Sequence, residues 1–259
     1  MLSAITRTPA PSLADCELTF LDRAAIDYQR ALEQHQAYCA ALRSCGVDVL
    51  TLPAVANLPD SVFVEDTALV LDECAVVAHL GSMAREPESV LMMPALAPLR
   101  PLHQIAAPAT LEGGDVLRVG RTLYVGRSAR TNQAGIDALA DLLAPYGYEV
   151  VPVAVDGCLH LKTGCTALDD RTLLINPAWV DAAAFAGFEQ IAVPAEEPWA
   201  ANVLRLPATL IVNAAHERTN ALLAERGLNL LPVDIGEFGK AEAGLTCLSL
   251  VFATDPNKG

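Results

Sequence analysis

A chain of 259 residues, 53% of them apolar, can bury one large core, yet no apolar run reaches the roughly 18 residues of a membrane span. A net charge of −14 argues against nucleic acid, which proteins meet with Lys and Arg, and is compatible with a small cationic ligand. No linker, low-complexity run or shift in composition divides the chain, so residues 1–259 are expected to form a single domain.

In chain order, Met1 to Pro9 lacks the basic and apolar regions of a secretory signal. A helix is expected from about Asp27, its N-cap, to Ser44. Tyr28, Leu32, His35, Cys39 and Leu42 step by helical spacing and make one face, on which His35 reads as a packed core histidine. Val47 to Leu52 follows as a strand. Four hairpins come next: Val64 to Val77, turning at Asp72-Glu73; Val116 to Val125, around Gly120-Arg121; Thr166 to Ile175, at Asp169-Asp170; and Val203 to Val212, near Pro207. Each is expected to lead into a helix and a closing strand.

Gly46, Gly147, Gly187 and Gly227 read as left-handed helix C′ residues before those closing strands. The unit holding Met93 to Pro108 has no such glycine. Leu245 to Phe252 reads as a further strand, and Ala253 to Gly259 as a mobile tail. His216-Glu217-Arg218 opens a helix, and Glu196-Glu197 reads as exposed loop. The fifth unit is thus split between the termini, and a split unit closes a ring.

Asp66, Glu112, His160, Asn202 and Cys247 recur at one phase of this pattern, 46, 48, 42 and 45 residues apart. A ring returns them to one place. Two carboxylates, an imidazole and a thiol together can bind a cation and attack it covalently. A thiol needs a positive neighbour or a base to ionise, and His160 or a bound cation could supply that field. Taken singly, Cys247 reads as a buried small hydrophobe, and Asp66 and Glu112 as turn residues, the latter beside Gly113-Gly114. Asn202 carries no assignable role. The seven cysteines are odd in number with no Cys-x-x-Cys pair, which fits reduced thiols in a cytoplasm. Cys158, His160 and Cys165 do not match common zinc spacings. His79, His103 and His216 have no partners at useful spacing.

Five segments carry a resemblance that runs from about Arg7 to Phe252. They are Asp60-Ser61-Val62-Phe63-Val64-Glu65-Asp66, Glu112-x-Gly114-Asp115, Ser128-Ala129-Arg130-Thr131-Asn132, His160-Leu161-Lys162-Thr163-Gly164 and the Cys247 strand. The chain resembles the dimethylarginine dimethylaminohydrolase family of the guanidino-modifying, or pentein, superfamily. The resemblance implies a five-bladed α/β propeller of pseudo-five-fold ββαβ repeats and a single catalytic domain. It implies Cys247 as nucleophile, His160 as general acid and then base, and Glu112 as the partner of His160. It implies Asp66, Asp60 and Glu65 as the carboxylate wall around a guanidinium, and Arg85 and Arg130 on the substrate α-carboxylate. The carbonyls of Leu18 and Ala241 would receive the α-amino group.

The reaction implied is hydrolysis of Nω-methylated arginine to citrulline and an amine through a covalent thiouronium, with no metal or organic cofactor. The partner implied is a small cationic guanidino substrate, with a homodimer left open. Two segments depart from the family: the expected lid at 18–25 and the small residues near Ala241. The alternatives are an arginine deiminase-like activity and a non-catalytic guanidino-amino-acid binder. Against the first, Lys162 stands where arginine deiminases carry a guanidinium-binding Asp; against the second, a binder has no need of the thiol.

Overall fold

The computed structural model describes residues 1–254. Strand β1 (Leu2–Arg7) precedes α1 (Tyr28–Ser44), which begins where the Asp27 carboxylate accepts the N–H of Arg30. The α1 stripe that turns inward includes Ala31, His35, Tyr38, Cys39 and Leu42; His35 packs in the core as expected, and burial lowers its imidazole to about 4. Strand β2 (Val47–Leu52) then pairs parallel with β1.

The same order of two strands, a connection and a third strand repeats, the connection being an α-helix in every unit but that of β9 to β11. It runs through β3 (Ala68–Val70), β4 (Ala75–Val77), α2 (Glu86–Leu96) and β5 (Leu102–Gln104). Next come β6 (Val116–Val119), β7 (Thr122–Arg127), α3 (Gln133–Leu143) and β8 (Glu149–Ala154). After the single turn α4 (Leu161–Gly164) come β9 (Cys165–Ala167), β10 (Thr172–Ile175) and β11 (Glu189–Ala192). The fourth unit is β12 (Leu204–Leu206), β13 (Thr209–Asn213), α5 (Glu217–Glu225) and β14 (Leu230–Val233). A short turn α6 (Gly236–Gly239) leads to β15 (Leu250–Ala253).

Each unit is a three-stranded sheet with an antiparallel pair and a parallel third strand, the repeat of a five-bladed α/β propeller, and four of the five have the order ββαβ. The fifth sheet has the order β15-β1-β2, with Leu2 lying between Ala253 and Val47, so the two ends of the chain share one blade.

The core explains why the ring closes. Among the described residues the apolar interior falls into five clusters, and each bridges two neighbouring blades. One joins Ile5, Leu250 and Phe252 to Val70, Ala75 and Met92. Another joins Leu71, Val76 and Ile105 to Leu123, Val125 and Leu139. The next two carry the chain of contacts from Leu117 and Val153 to Leu173, then from Leu174 and Ile191 to Ile211's neighbours Leu210 and Val212. The last returns from Leu204, Ile211 and Val233 to Ala4, Tyr38 and Leu42. No blade can bury its apolar faces alone, so closure is driven by area removed from water.

Four sequence expectations change. Gly46, Gly147 and Gly227 adopt φ of +79°, +75° and +80°, as left-handed helix exits require. Gly187 does not, because the third unit has no α-helix. Ala182–Phe185 is a short 3-10 turn, started by the Asp181 carboxylate on the Ala183 N–H. It is closed by the Gln190 amide on the carbonyls of Ala182 and Phe185. In the unit without a glycine, α2 runs through Pro94 and exits at Ala97 in the right-handed region, where Leu99 and Arg100 both donate to Leu96. The expected strand from Leu245 starts only at Leu250, since Thr246–Leu248 is a 3-10 turn; Ala253, expected in the tail, ends β15, and residues 255–259 lie outside the described ones. Glu197, expected in exposed loop, instead accepts the N–H groups of Arg218 and Thr219 and caps α5. Among the described residues no helix is long and apolar enough to cross a membrane.

A Cβ added to Gly147 or Gly227 would meet nothing within 4 Å, so backbone strain alone opposes it. Gly147→Ala and Gly227→Ala should each cost about 1 kcal/mol, whereas Gly187→Ala should cost close to none. Urea unfolding midpoints of the three variants test this; equal losses at all three positions would refute the distinction.

Candidate active site

Each polar residue of the five-fold phase lies in the short segment that leads into the first strand of its blade. Asp66 sits in the 3-10 turn Val64–Thr67 before β3, and Cys247 in Thr246–Leu248 before β15. Glu112 and His160 are the N-cap residues of Gly113–Asp115 before β6 and of α4 before β9. Asn202 lies two residues before β12, with Val203 between them. The expected strand spans included only Asp66 and Cys247 of the five; the lead-in segments hold the backbone clear of the ladder and free the side chains to converge.

Three of the five meet directly. His160 Nε2 lies 2.6 Å from Glu112 Oε2, and its Nδ1 lies 3.8 Å from Asp66 Oδ1. The approach depends on Gly114, where a Cβ would come within 2.6 Å of the His160 ring and 2.7 Å of Asp66. The Gly114 N–H instead donates to Asp66 Oδ1 at 3.2 Å. Gly114 therefore serves close packing of side chains, and Gly113 close approach of the Glu65 backbone, rather than a free turn. Beneath His160, Asp115 accepts from the Leu161 N–H and the Ser128 hydroxyl.

The carboxylates are buried and each has a partner. Glu112 accepts from the Gly81 N–H at 3.0 Å, and its own N–H donates to Thr131 Oγ1. Glu65 is held by Lys162 Nζ at 2.5 Å and by the Thr246 hydroxyl at 2.7 Å. Asp60 accepts the N–H of Glu17 at 3.2 Å. Arg85, expected on a substrate carboxylate, lies 3.0 Å from Asp66, 3.0 Å from Glu88 and 3.8 Å from Glu112. Arg130 lies 2.9 Å from Glu17 and 3.7 Å from Glu112. Both guanidinium groups thus rest among protein carboxylates. Ala241 is buried in the apolar cluster of α1, and Leu18 packs against that cluster.

These charges set the titration of the reacting groups. Burial would lower the His160 imidazole, but Asp66, the bond to Glu112 and Asp115 together raise it to about 9. Burial pushes the Cys247 thiol well up, and Glu65 and Asp66 push it further against the Gly244 N–H and Lys162. Burial would raise Asp66, yet His160 and Arg85 bring it below the usual range. A neutral thiol, a cationic imidazole and a wall of carboxylates form a seat for a cation.

Asp66, Glu112 and His160 offer ligand atoms within 4.8 Å of one another, the geometry of a metal site. The Arg85 guanidinium already pairs with both carboxylates, so planar cation recognition fits them better than a metal ion. Cys158 donates to the carbonyl of His160 and not to its ring, and Cys165 is buried in β9, so these three do not form a ligand set.

Asn202 has a position that the sequence did not explain. Its Nδ2 donates to the Lys162 carbonyl at 2.8 Å and to Thr246 Oγ1 at 3.0 Å, while its Oδ1 accepts the Thr246 N–H at 3.1 Å. One amide thereby ties the His160 turn to the Cys247 turn. Tyr38 holds the same turn from below, donating to the Leu245 carbonyl at 2.9 Å and lying 2.7 Å from Ser249 Oγ. Glu17, Glu88, Thr246 and Tyr38 were not singled out in the sequence. Thr246 adjoins Cys247 and Asp115 closes the Glu112 motif; the others carried no local signal.

The family description "N,N dimethylarginine dimethylhydrolase, eukaryotic" matches residues 19–163. The N(G),N(G)-dimethylarginine dimethylaminohydrolase of Pseudomonas aeruginosa is 38% identical over 250 residues, covering 96% of this chain and 98% of the relative. The one of Streptomyces coelicolor is 39% identical, covering 95% of each. A solved structure of DDAH from Pseudomonas aeruginosa, a mutant complexed with citrulline, superposes with a TM-score of 0.92 at 37% identity, over 96% of this chain and 98% of that one.

Two predictions arise from the geometry. The raised imidazole of His160 contributes stability that is fully present below its ordinary value of 6.5 and lost as pH rises through about 9. The melting-temperature advantage of the wild type over His160→Gln should therefore shrink across that window; a constant or growing advantage would contradict it. Asn202→Ala should lower kcat by about tenfold to a hundredfold through misplacement of the two turns, with KM nearly kept. Steady-state kinetics on the folded variant check this, and an unchanged kcat would remove the tie.

Proposed function

Because this chain belongs to the dimethylarginine dimethylaminohydrolase family, we propose that it hydrolyses Nω-methylated arginine to citrulline and dimethylamine or methylamine. The observation that carries this reading is His160 bonded to Glu112 at 2.6 Å beside buried carboxylates and the half-buried thiol of Cys247.

A substrate guanidinium entering beside Asp66, Glu65 and Asp60 brings the positive charge that the thiol lacks. Burial and then the carboxylates of Glu65 and Asp66 hold Cys247 protonated; the guanidinium charge opposes both, so the thiolate forms only with substrate present, its proton leaving to solvent. The sulfur then bonds to the guanidinium carbon. His160, cationic at neutral pH, gives its proton to the departing amine as the carbon–nitrogen bond breaks. Neutral His160 next takes a proton from water as the oxygen attacks the thiouronium, and citrulline leaves as the thiolate returns. Glu112 holds the imidazole throughout. Arg85 and Arg130 would take the α-carboxylate by exchanging for it the carboxylates of Glu88 and Glu17 that they now meet, and the carbonyls of Leu18 and Ala241 would take the α-amino group.

Lys162 pairs with Glu65 and so places a cation where an arginine deiminase-like site has a second carboxylate, which weighs against that activity. A non-catalytic binder would not need the His160–Glu112 pair. Residues 1–259 act as one catalytic unit in this reading, since both termini build one blade. Seven cysteines free of disulfides fit a cytoplasmic setting. Sedimentation decides between a monomer and a homodimer.

A substrate panel of dimethylarginine, monomethylarginine, arginine and agmatine should give citrulline and alkylamine from the methylated arginines. Ammonia release from arginine as the fastest reaction would overturn the assignment. Cys247→Ser should bind substrate without turnover, and a haloamidine should alkylate Cys247 before the other six cysteines.

A further inference from the structure

The left-handed cap that α1, α5 and the turn after α3 give to glycine is taken at the end of α6 by a glutamate. Glu242 has φ of +59°, the only non-glycine residue with positive φ among those described. The geometry is a helix stop: the N–H groups of Ala241 and Ala243 both donate to the Phe238 carbonyl, and that of Glu242 to Gly239. Glycine would fill this position without strain, so a large charged side chain there points to a use for the side chain.

That use is visible. Glu242 is 4% exposed, and its Oε1 accepts three consecutive amides of the lid: Thr19 at 2.9 Å, Phe20 at 2.5 Å and Leu21 at 2.6 Å. Its Oε2 is buried with no partner. The lid is tied to the site on its other side as well, where the Glu17 N–H meets Asp60 and the Glu17 carboxylate meets Arg130. Glu242 and Leu21 share a cavity of about 220 Å³ with Asn202 and Gly244, and the Gly244 N–H lies 3.4 Å from the Cys247 sulfur.

We propose that Glu242 is a positioning residue, the latch that holds lid residues Thr19 to Leu21 closed beside the nucleophile turn. The proposal rests on the reading of the site given above. Leu18 immediately precedes the latched amides and Ala241 immediately precedes the latch, so one carboxylate holds both expected α-amino acceptors in a single frame. The latch is also built to release. Closure costs a left-handed backbone and an unpartnered buried oxygen, and opening returns that oxygen to water. The three charge-assisted bonds outweigh these costs only while the lid amides are in place.

Glu242→Gln keeps the length and removes the charge; Glu242→Gly removes the side chain and relieves the backbone, so it does not depend on a strained fold. Both should speed hydrogen exchange of the amides of 19–21 by about tenfold or more, with β1 and β2 amides unchanged. Both should raise KM for dimethylarginine more than they lower kcat. Wild-type exchange at 19–21 in the two folded variants would overturn the latch, as would faster exchange with KM unchanged. Wild-type enzyme that releases no citrulline from dimethylarginine would overturn the proposed function instead, and the exchange measurement would still decide the latch.

Discussion

Glu65, Asp66, Glu112 and Asp115 are buried around one point, and a cluster of buried negative charge persists only if every member is compensated. Lys162 answers Glu65, Arg85 answers Asp66, His160 answers Glu112, and Asp115 takes an amide and a hydroxyl. The rest of the site hangs on this balance. It fixes the orientation of His160, keeps the imidazole charged, and holds the Cys247 thiol neutral until another cation arrives. A site that strains for positive charge distinguishes a guanidinium from a neutral product such as citrulline. It can therefore take up the one and let go of the other.

The propeller is the device that brings these charges together. Five apolar clusters, each shared by two blades, place the five lead-in turns around one axis. The turns then need cross-ties, because a short 3-10 segment has little rigidity of its own. Asn202 links two of them, Gly114 lets two side chains meet, and Tyr38 braces the nucleophile turn from the first helix. The most conspicuous strain in the backbone, at Glu242, lies in the segment joining the lid to Cys247. That placement ties the cover to the same loop that carries Cys247.

Much of the fold was legible because it rests on local rules. Hairpin turns at Asp72-Glu73, Gly120-Arg121, Asp169-Asp170 and Pro207 sit between short apolar runs, and three left-handed glycines end their helices. Gly187 misled because the motif of glycine before an apolar strand is the same after a 3-10 turn as after a helix. Cys247 was expected in a strand since Leu245, Leu248 and Leu250 around it are apolar; the phase of a 3-10 turn hides in so short a run.

The amino-acid sequence by itself determined the repeat, the closing of the ring through both termini, and which residue types recur at one phase, since periodicity and turn chemistry act between near neighbours. Only the tertiary structure decided what those residues do to one another. The His160 ring bonds Glu112 and lies against Asp66, Arg85 rests among carboxylates, Asn202 spans two turns, and Glu242 grips a lid more than 200 positions earlier in the chain. Those outcomes depend on distance and burial across blades, and charges far apart in sequence shift one another only once folding has excluded the water between them.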